Sequence, residues 1–276
     1  MRRFAQIALV SALCLPVWAG DGNKPAAPPA ATASAPAVNP DEIIARFAAK
    51  EKQFAEAREN YTYRQTVKVE ALDDSGVPEG KYELVSDIIF SPDGKRTEKV
   101  VFAPVSTLSD YLLLTPEDEQ DLRNVQPFVL TTDEIPEYDI QYLGKQNVDE
   151  ISCYVFSVKP KKLIRGKRYF EGQIWVDDRD LQIVKTYGKG VGQLKRNEDQ
   201  QFPMFETYRE QIDGKYWFPT YTHADDTLHF KDHPQKIRML VTYKDYKRFV
   251  GKSTIEFGDV VDDQSKNPPK AQPKKP

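Results

Sequence analysis

Cysteine is scarce in this 276-residue chain, which contains only Cys14 and Cys153. Cys14 lies inside an N-terminal segment with the features of a cleavable export signal, so cleavage leaves Cys153 alone. A single thiol cannot form an intramolecular disulfide, which excludes a disulfide-stabilised fold. Cys153 belongs to the alternating segment 151–156, and that pattern predicts a buried, inert thiol on a strand face rather than a nucleophile.

Long apolar runs are also missing. The run at residues 7–15 follows Arg2 and Arg3, and Ala19 stands at cleavage-site spacing, so residues 1–19 are predicted to be a signal peptide that directs the protein to the periplasm. A lipid-anchored alternative needs a lipobox before Cys14, but residues 11–13 lack its leucine and its final small residue. A bilayer span needs about 20 apolar residues, so no stable membrane span is expected.

The mature chain has no excess of positive charge. Losing Arg2 and Arg3 lowers Lys+Arg from 39 to 37 against 42 Asp+Glu, which gives a formal charge of −5 and argues against nucleic-acid binding. Residues 20–39 are rich in Ala and Pro and predict a disordered linker, and residues 259–276 predict a disordered Pro/Lys-rich tail. Residues 40–258 are therefore expected to form one folded domain.

Familiar catalytic signatures are absent. The sequence contains no G-x-S-x-G elbow, no P-loop and no dinucleotide fingerprint, which favours a binding protein without a cofactor over an enzyme. The glycines at 188, 190 and 192 lack a following helical pattern and predict a flexible loop. Asp177, Asp178 and Asp180 lack the closing glutamate of a calcium loop and predict a turn.

The only three histidines, His223, His229 and His233, fall together among several aspartates. Imidazoles and carboxylates in such density are the ligands of zinc, which keeps a metal-dependent hydrolase open as an alternative. Their spacings of six and four residues match no familiar motif, and Asp225 and Asp226 are typical of a turn. We therefore expect no metal site.

Two helices are predicted. Asn39 can cap a helix that begins at Pro40. Its apolar stripe comprises Ile43, Ile44, Phe47, Phe54 and Ala55, and its polar side comprises Lys50, Glu51, Lys52, Glu56 and Arg58. Thr115, followed by proline and two acidic residues, predicts the cap of a short second helix that ends near residue 124.

Alternation of apolar and polar residues predicts strands along most of the remaining chain. The strands are expected at 61–71, 81–90, 95–102, 138–148, 151–159, 167–176, 181–187, 204–211, 215–223 and 237–249. Short turns between them indicate an antiparallel meander. The predicted fold class is mainly β (α+β), with a curved antiparallel sheet that forms an incomplete barrel covered by an N-terminal helix and a short inserted helix.

Two sequence blocks resemble segments of a known protein family. Residues 169–185, YFEGQIWVDDRDLQIVK, resemble the LolA/LolB-like superfamily, in which a strand ending in an aspartate turns into a strand of matching polarity. Residues 205–219, FETYREQIDGKYWFP, are similar to the next hairpin of proteins called outer membrane lipoprotein-sorting proteins. The resemblance implies a half-barrel whose apolar face receives acyl chains.

A sheet bent around two short helices need not fill its own concavity, and unfilled apolar space is a ligand site. The candidate ligand-binding residues are Tyr61, Tyr63, Val67, Val69, Leu112, Leu113, Leu114, Val155, Ile174 and Val176. Most of them are expected to form core, and a minority to contact a ligand.

The predicted function is a periplasmic carrier of lipid or lipoprotein acyl chains, which gives up its cargo to a partner such as an inner-membrane exporter or outer-membrane acceptor. An envelope sensor or scaffold of RseB type is the alternative, with a filled concavity and a partner protein bound at the sheet edges or at the basic run 159–168. Such a sensor carries no lipid cargo.

Overall fold

The computed structural model describes residues 39–91, 95–193, 202–231 and 233–249. All of them belong to one compact unit. The predicted signal peptide, nearly all of the predicted linker, the domain boundary at residue 258 and the predicted tail lie outside the described residues. Within the described ranges, no helix is both long and apolar enough to cross a membrane.

In the part of the chain that the structure describes, ten antiparallel strands form a single sheet. They are β1 (Tyr61–Leu72), β2 (Pro78–Phe90), β3 (Arg96–Phe102), β4 (Tyr138–Val148), β5 (Ile151–Pro160), β6 (Tyr169–Asp177), β7 (Ile183–Val191), β8 (Phe205–Gln211), β9 (Trp217–His229) and β10 (Pro234–Arg248). Their spatial order is β3-β2-β1-β10-β9-β8-β7-β6-β5-β4, so β3 and β4 are the edges and the sheet is not closed into a barrel. The predicted incomplete barrel with a mainly β composition is confirmed.

Helix α1 (Pro40–Arg58) begins as the sequence predicts, with the Asn39 side chain accepting a hydrogen bond from the Glu42 backbone N–H. Its apolar stripe packs on the sheet, and the rings of Phe47 and Phe156 lie 5.5 Å apart. The placement of Glu51 on the polar side was wrong, because its side chain is fully buried. A buried carboxylate needs a partner, and Arg209 on β8 supplies one.

Residues 103–137, between β3 and β4, are called the insertion below. The insertion contains a 3₁₀ turn (Leu108–Asp110), the short helix α2 (Pro116–Gln120), a π-helical turn (Asp121–Val125) and a second 3₁₀ turn (Ile135–Glu137). Thr115 and Asp118 form a capping box at the start of α2, as the Thr-Pro-Glu-Asp sequence predicts.

The main core lies on the sheet face that α1 and the insertion cover, here called the inner face. It joins side chains of both helical segments to residues of nearly every central strand, including Val67, Val69, Phe156, Ile174 and Val241. A smaller cluster of Cys153, Val155, Trp175 and Val184 packs on its own. Val155 is paired directly with Trp175 across β5 and β6, which puts it with that second cluster on the other face.

One turn prediction and one loop prediction were wrong. Asp225 and Asp226 lie inside β9, which continues to His229, and the Arg238 guanidinium on β10 lies 3.6 Å from the Asp225 carboxylate. Cross-strand pairing of opposite charges compensates for the low strand propensity of aspartate. The predicted flexible loop of glycines falls largely within β7, whose last residue is Val191.

Candidate functional site

A cavity of about 340 Å³ lies between the inner face and the insertion. Its volume falls within the range of roughly 300–1,000 Å³ that is usual for small-molecule sites. The lining is mainly apolar and comprises Val69, Tyr111, Leu112, Leu113, Leu114, Thr115, Asp118, Asp121, Leu122, Gln126, Gly190, Phe202, Pro203, Phe205, Leu228, Phe230, His233, Ile237 and Met239. It is called the cavity below.

Neighbouring strands supply one wall of the cavity. Val69 on β1 pairs directly with Met239 on β10, and Ile237 lies two residues before Met239 on the same strand. Residues two apart in a strand point to the same face, so the alternating pattern of β10 aims both side chains inward. Leu228 and Phe205 extend this apolar wall onto β9 and β8.

The insertion supplies the facing wall through three consecutive leucines. Leu112 and Leu114 are half-buried, while Leu113 is 73% exposed. Leu122, in the π-helical turn that follows α2, completes the apolar surface of this wall. The cavity thus opens beside a segment of chain that is apolar and close to solvent.

A buried ion pair holds the insertion against the sheet. Arg168 donates from Nε to Asp121 Oδ1 at 2.9 Å and from Nη2 to Asp121 Oδ2 at 2.6 Å. The two side chains are only 6% and 9% exposed. A Cβ on Gly190 of β7 would overlap the Asp121 carboxylate, so glycine is required at this strand position for the carboxylate to approach.

Burial governs the titration of the two carboxylates in the lining. Desolvation raises the pKa of Asp121 to about 6, and the hydrogen bonds and charge of Arg168 oppose that rise. Desolvation also raises the pKa of Asp118, against the hydrogen bonds that it accepts from the Thr115 N–H and hydroxyl. Arg168 in turn stacks on Phe202, with its guanidinium 3.8 Å from the ring centre.

The other end of the insertion is tied to β2. The Thr107 N–H donates to the Lys81 carbonyl at 3.0 Å, and the Lys81 N–H donates to the Thr107 hydroxyl at 3.1 Å. Tyr111 packs so closely on Gly80 that a Cβ there would lie 2.6 Å from its ring. Polar bonds and a glycine contact therefore fix the start of the insertion.

The ion pair between Glu51 on α1 and Arg209 on β8 connects the helix to the sheet and to Phe128 in the insertion. Arg209 Nη1 donates to both Glu51 oxygens at 3.1 and 3.2 Å, and the Ile183 N–H donates to Glu51 Oε1 at 3.1 Å. Arg209 Nη2 also donates to the Phe128 carbonyl. Desolvation raises the pKa of Glu51, and the charge of Arg209 opposes the rise.

Of the ten ligand-binding candidates from the sequence, four line the cavity: Val69, Leu112, Leu113 and Leu114. Val67 lines an adjoining groove of about 300 Å³ under α2, and Tyr63 lines a third of about 210 Å³. The remaining four candidates, Tyr61, Val155, Ile174 and Val176, are buried.

The structure separates these buried candidates from the cavity for different reasons. Tyr61 packs on Phe218, with ring centres 4.7 Å apart, and donates a hydrogen bond to Asp213. Ile174 and Val176 are core residues of the inner face. Val155, expected on the same face as these two, belongs to the other cluster.

The histidines do not form a metal centre in the described part of the chain, where no group of three or more His, Cys, Asp or Glu side chains is placed to hold an ion. His223 and His229 lie six residues apart on β9, which separates them by roughly 20 Å along an extended strand. His223 stacks on Tyr221, and His233 lies beside Phe230 at the rim of the cavity.

Several cavity residues were not singled out from the sequence. Phe205 lies in the strand predicted at 204–211, and its face could have been assigned from alternation once β8 and β9 were paired. Leu228 lies beyond the strand predicted at 215–223, because β9 continues to His229. Gln126 gives no such signal, because it follows a π-helical turn that shifts the helical spacing. Its side chain is 4% exposed and forms part of the lining.

No family model matches the chain, and no curated protein matches it. Among solved structures, it is similar to a DUF1329 family protein from Desulfovibrio piger, with 14% identity, coverage of 78% of this chain and 96% of that protein, and a TM-score of 0.40. It is also similar to a LolA superfamily protein from Nitrosomonas europaea, with 15% identity, coverage of 78% and 95%, and a TM-score of 0.37.

A third similar structure is an outer membrane lipoprotein-sorting protein domain from Vibrio parahaemolyticus, with 12% identity, coverage of 76% of this chain and 94% of that domain, and a TM-score of 0.34. Two of the three proteins bear the family names that the blocks at 169–185 and 205–219 had indicated. All three TM-scores are below 0.5, and the fold rests on the strand pairing itself.

Proposed function

We propose that this protein is a periplasmic carrier that binds the acyl chains of a lipid or lipoprotein in the cavity. The observation that carries the proposal is the cavity of about 340 Å³, enclosed largely by apolar side chains of the inner face and the insertion. A methylene group gains about 0.8 kcal/mol on leaving water, so an apolar site of this size stabilises a bound hydrocarbon chain. The export signal expected at residues 1–19 agrees with a role in the cell envelope.

The unfilled space favours a carrier over a sensor without lipid cargo, because such a sensor is expected to have a filled inner face. Acyl chains held in this way leave slowly on their own, so transfer requires a membrane or protein acceptor. The residues that line the cavity offer contact and burial, and the proposed role is accordingly binding rather than chemical conversion.

The decisive experiment is native mass spectrometry of the mature protein purified from its own envelope, followed by organic extraction. A stoichiometric acyl-bearing mass supports the carrier. Val69→Phe places a larger side chain in the cavity and should abolish the bound mass. Val77→Phe makes the same change at a position that is 57% exposed and outside the cavity lining, and should retain it. A delipidated protein that shows no saturable binding of lipid probes contradicts the proposal.

A second candidate is an envelope sensor that binds a partner protein along β3. This edge strand exposes consecutive apolar side chains, with Val100 55%, Val101 48% and Phe102 51% exposed. An unprotected apolar edge is a template for strand addition by another chain. If Val101→Lys abolishes saturable binding to an envelope protein while no lipid copurifies, the sensor replaces the carrier.

A further inference from the structure

The cavity contains one buried polar group whose bonding capacity is unused. Gln126 Oε1 is buried and has no hydrogen-bond partner among the described residues. The other buried polar side chains of the lining are engaged, since Asp121 pairs with Arg168 and Asp118 with Thr115. A buried acceptor left unpaired destabilises the protein, because the group has lost its hydrogen bonds to water without replacement.

The orientation of the Gln126 amide is set by its neighbour. Gln126 Nε2 lies 3.2 Å from Met239 Sδ, and a thioether sulfur accepts hydrogen bonds but cannot donate them. The nitrogen therefore faces the sulfur, and the oxygen is the atom that remains without a partner. Met239 also lines the cavity, so the amide lies at the cavity wall.

The backbone of Gln126 is fixed as well. Its N–H donates to the Asp121 carbonyl at 2.9 Å, and its carbonyl accepts from the Thr207 hydroxyl at 3.0 Å. The backbone at Gln126 is thus tied to the π-helical turn and to Thr207 on β8, and the side chain is held through its amide nitrogen at Met239. A preorganised acceptor of this kind discriminates between ligands that can and cannot donate to it.

On the basis of the proposed carrier function, we propose that the cavity selects uncharged acyl ligands that carry a hydrogen-bond donor, a hydroxyl or an amide N–H, and that Gln126 Oε1 accepts this bond. The ligand's chain lies against Val69 and Met239. The donor of the ligand forms a hydrogen bond with the unpaired Gln126 Oε1. This bond breaks no existing contact within the protein.

The same geometry disfavours a fatty-acid anion. A carboxylate only accepts hydrogen bonds, so it cannot pair with the Gln126 oxygen. Two carboxylates, Asp118 and Asp121, lie in the same lining, and the cation paired there, Arg168, is already bound to Asp121, so a further negative charge beside Asp118 would be repelled. Free fatty acids are therefore expected to bind more weakly than amide or hydroxyl ligands with the same chain.

The test compares two matched ligands in competition with a neutral fluorescent lipid probe. A fatty N-methylamide keeps one N–H, whereas the N,N-dimethylamide of the same chain length has none. The wild-type protein should bind the N-methylamide about tenfold more tightly. Gln126→Leu should reduce the ratio to about one, and Val69→Ala should weaken both ligands while preserving the ratio.

Equal binding of the two amides by the wild-type protein overturns the inference but leaves the carrier standing. A tenfold ratio that persists in Gln126→Leu also overturns it. If neither amide nor the probe binds, the carrier itself fails, and the inference fails with it.

A series of hydroxylated fatty esters provides a measurement that does not depend on the folding of Gln126→Leu. A fixed acceptor predicts one position of the hydroxyl along the chain that binds most tightly in the wild-type protein. A flat series, with no favoured position, contradicts the assignment of Gln126. The melting temperature of each variant shows whether a lost ratio reflects a lost fold.

Discussion

Replacing Glu51 with leucine is expected to destabilise the protein by about 3–5 kcal/mol, because it leaves the Arg209 guanidinium buried without a counter-ion. The Arg209 side chain is 1% exposed and the Glu51 side chain is fully buried, so water cannot substitute for the lost carboxylate. Among the described residues, Arg209 then keeps only its hydrogen bond to the Phe128 carbonyl, and its Nε has no hydrogen-bond partner. Since domains unfold at about 5–15 kcal/mol, a large share of the total stability is at stake.

The reciprocal change, Arg209→Met, should behave differently because a carboxyl group can take up a proton. Burial already raises the pKa of Glu51 above its ordinary 4.5, and removing Arg209 takes away the charge that opposes this rise. Below pH 4.5, Glu51 is protonated in both the folded and the unfolded chain, and no charge is buried. As the pH increases, the unfolded chain releases the proton first, so the stability of Arg209→Met falls towards neutral pH.

Urea unfolding followed by the fluorescence of Trp175 and Trp217 measures both effects. The loss of unfolding free energy caused by Glu51→Leu, relative to the wild type, should not become smaller at acid pH. The loss caused by Arg209→Met should become smaller there. The double variant should lie within about 2 kcal/mol of the wild type, because it removes both charges and forfeits only the bonds to the Ile183 N–H and Phe128 carbonyl. A cost below about 1 kcal/mol for Glu51→Leu would refute the reasoning.

Three further predictions concern the insertion and the buried thiol. Gly190→Ala should destabilise the protein by about 1–3 kcal/mol and increase hydrogen exchange in α2, because the new methyl group collides with Asp121. Thr115→Ala should cost about 1 kcal/mol in thermal unfolding, through loss of the capping box with Asp118. Burial raises the pKa of Cys153 to about 11, so the native mature protein should not react with a disulfide reagent at pH 8, whereas in denaturant the thiol should react fully.

The architecture could be predicted because its signals are local. Alternation and turn residues mark strands one at a time, and a meander then needs only neighbour pairing. The faces of those strands were harder to assign. In β5, Val155 and Phe156 are adjacent and both fully buried, so the strand is apolar on both faces and its period of two does not say which side faces the helices.

The polar interactions that shape the site could not be predicted, because they join distant parts of the chain. Glu51 and Arg209 are 158 residues apart, and nothing near either residue marks it as buried. The glycines of β7 have two possible explanations. A local one is a flexible loop, and a long-range one is a strand that another part of the chain approaches closely. Asp121 packs against Gly190 and thereby selects the second.

The way the insertion is attached accounts for the cavity beside it. Two of its anchors are polar: Thr107 bonds to Lys81 on β2, and Asp121 bonds to Arg168 beside Gly190. These contacts fix the position of the segment without using the three leucines between them. Leu112 to Leu114 can therefore remain at the wall of an apolar space instead of filling it, although Leu113 is 73% exposed. The apolar packing of the insertion lies on either side of the leucines, where Leu108, Val125 and Leu130 are buried in the main core, and it too leaves the space beside Val69 and Met239 open.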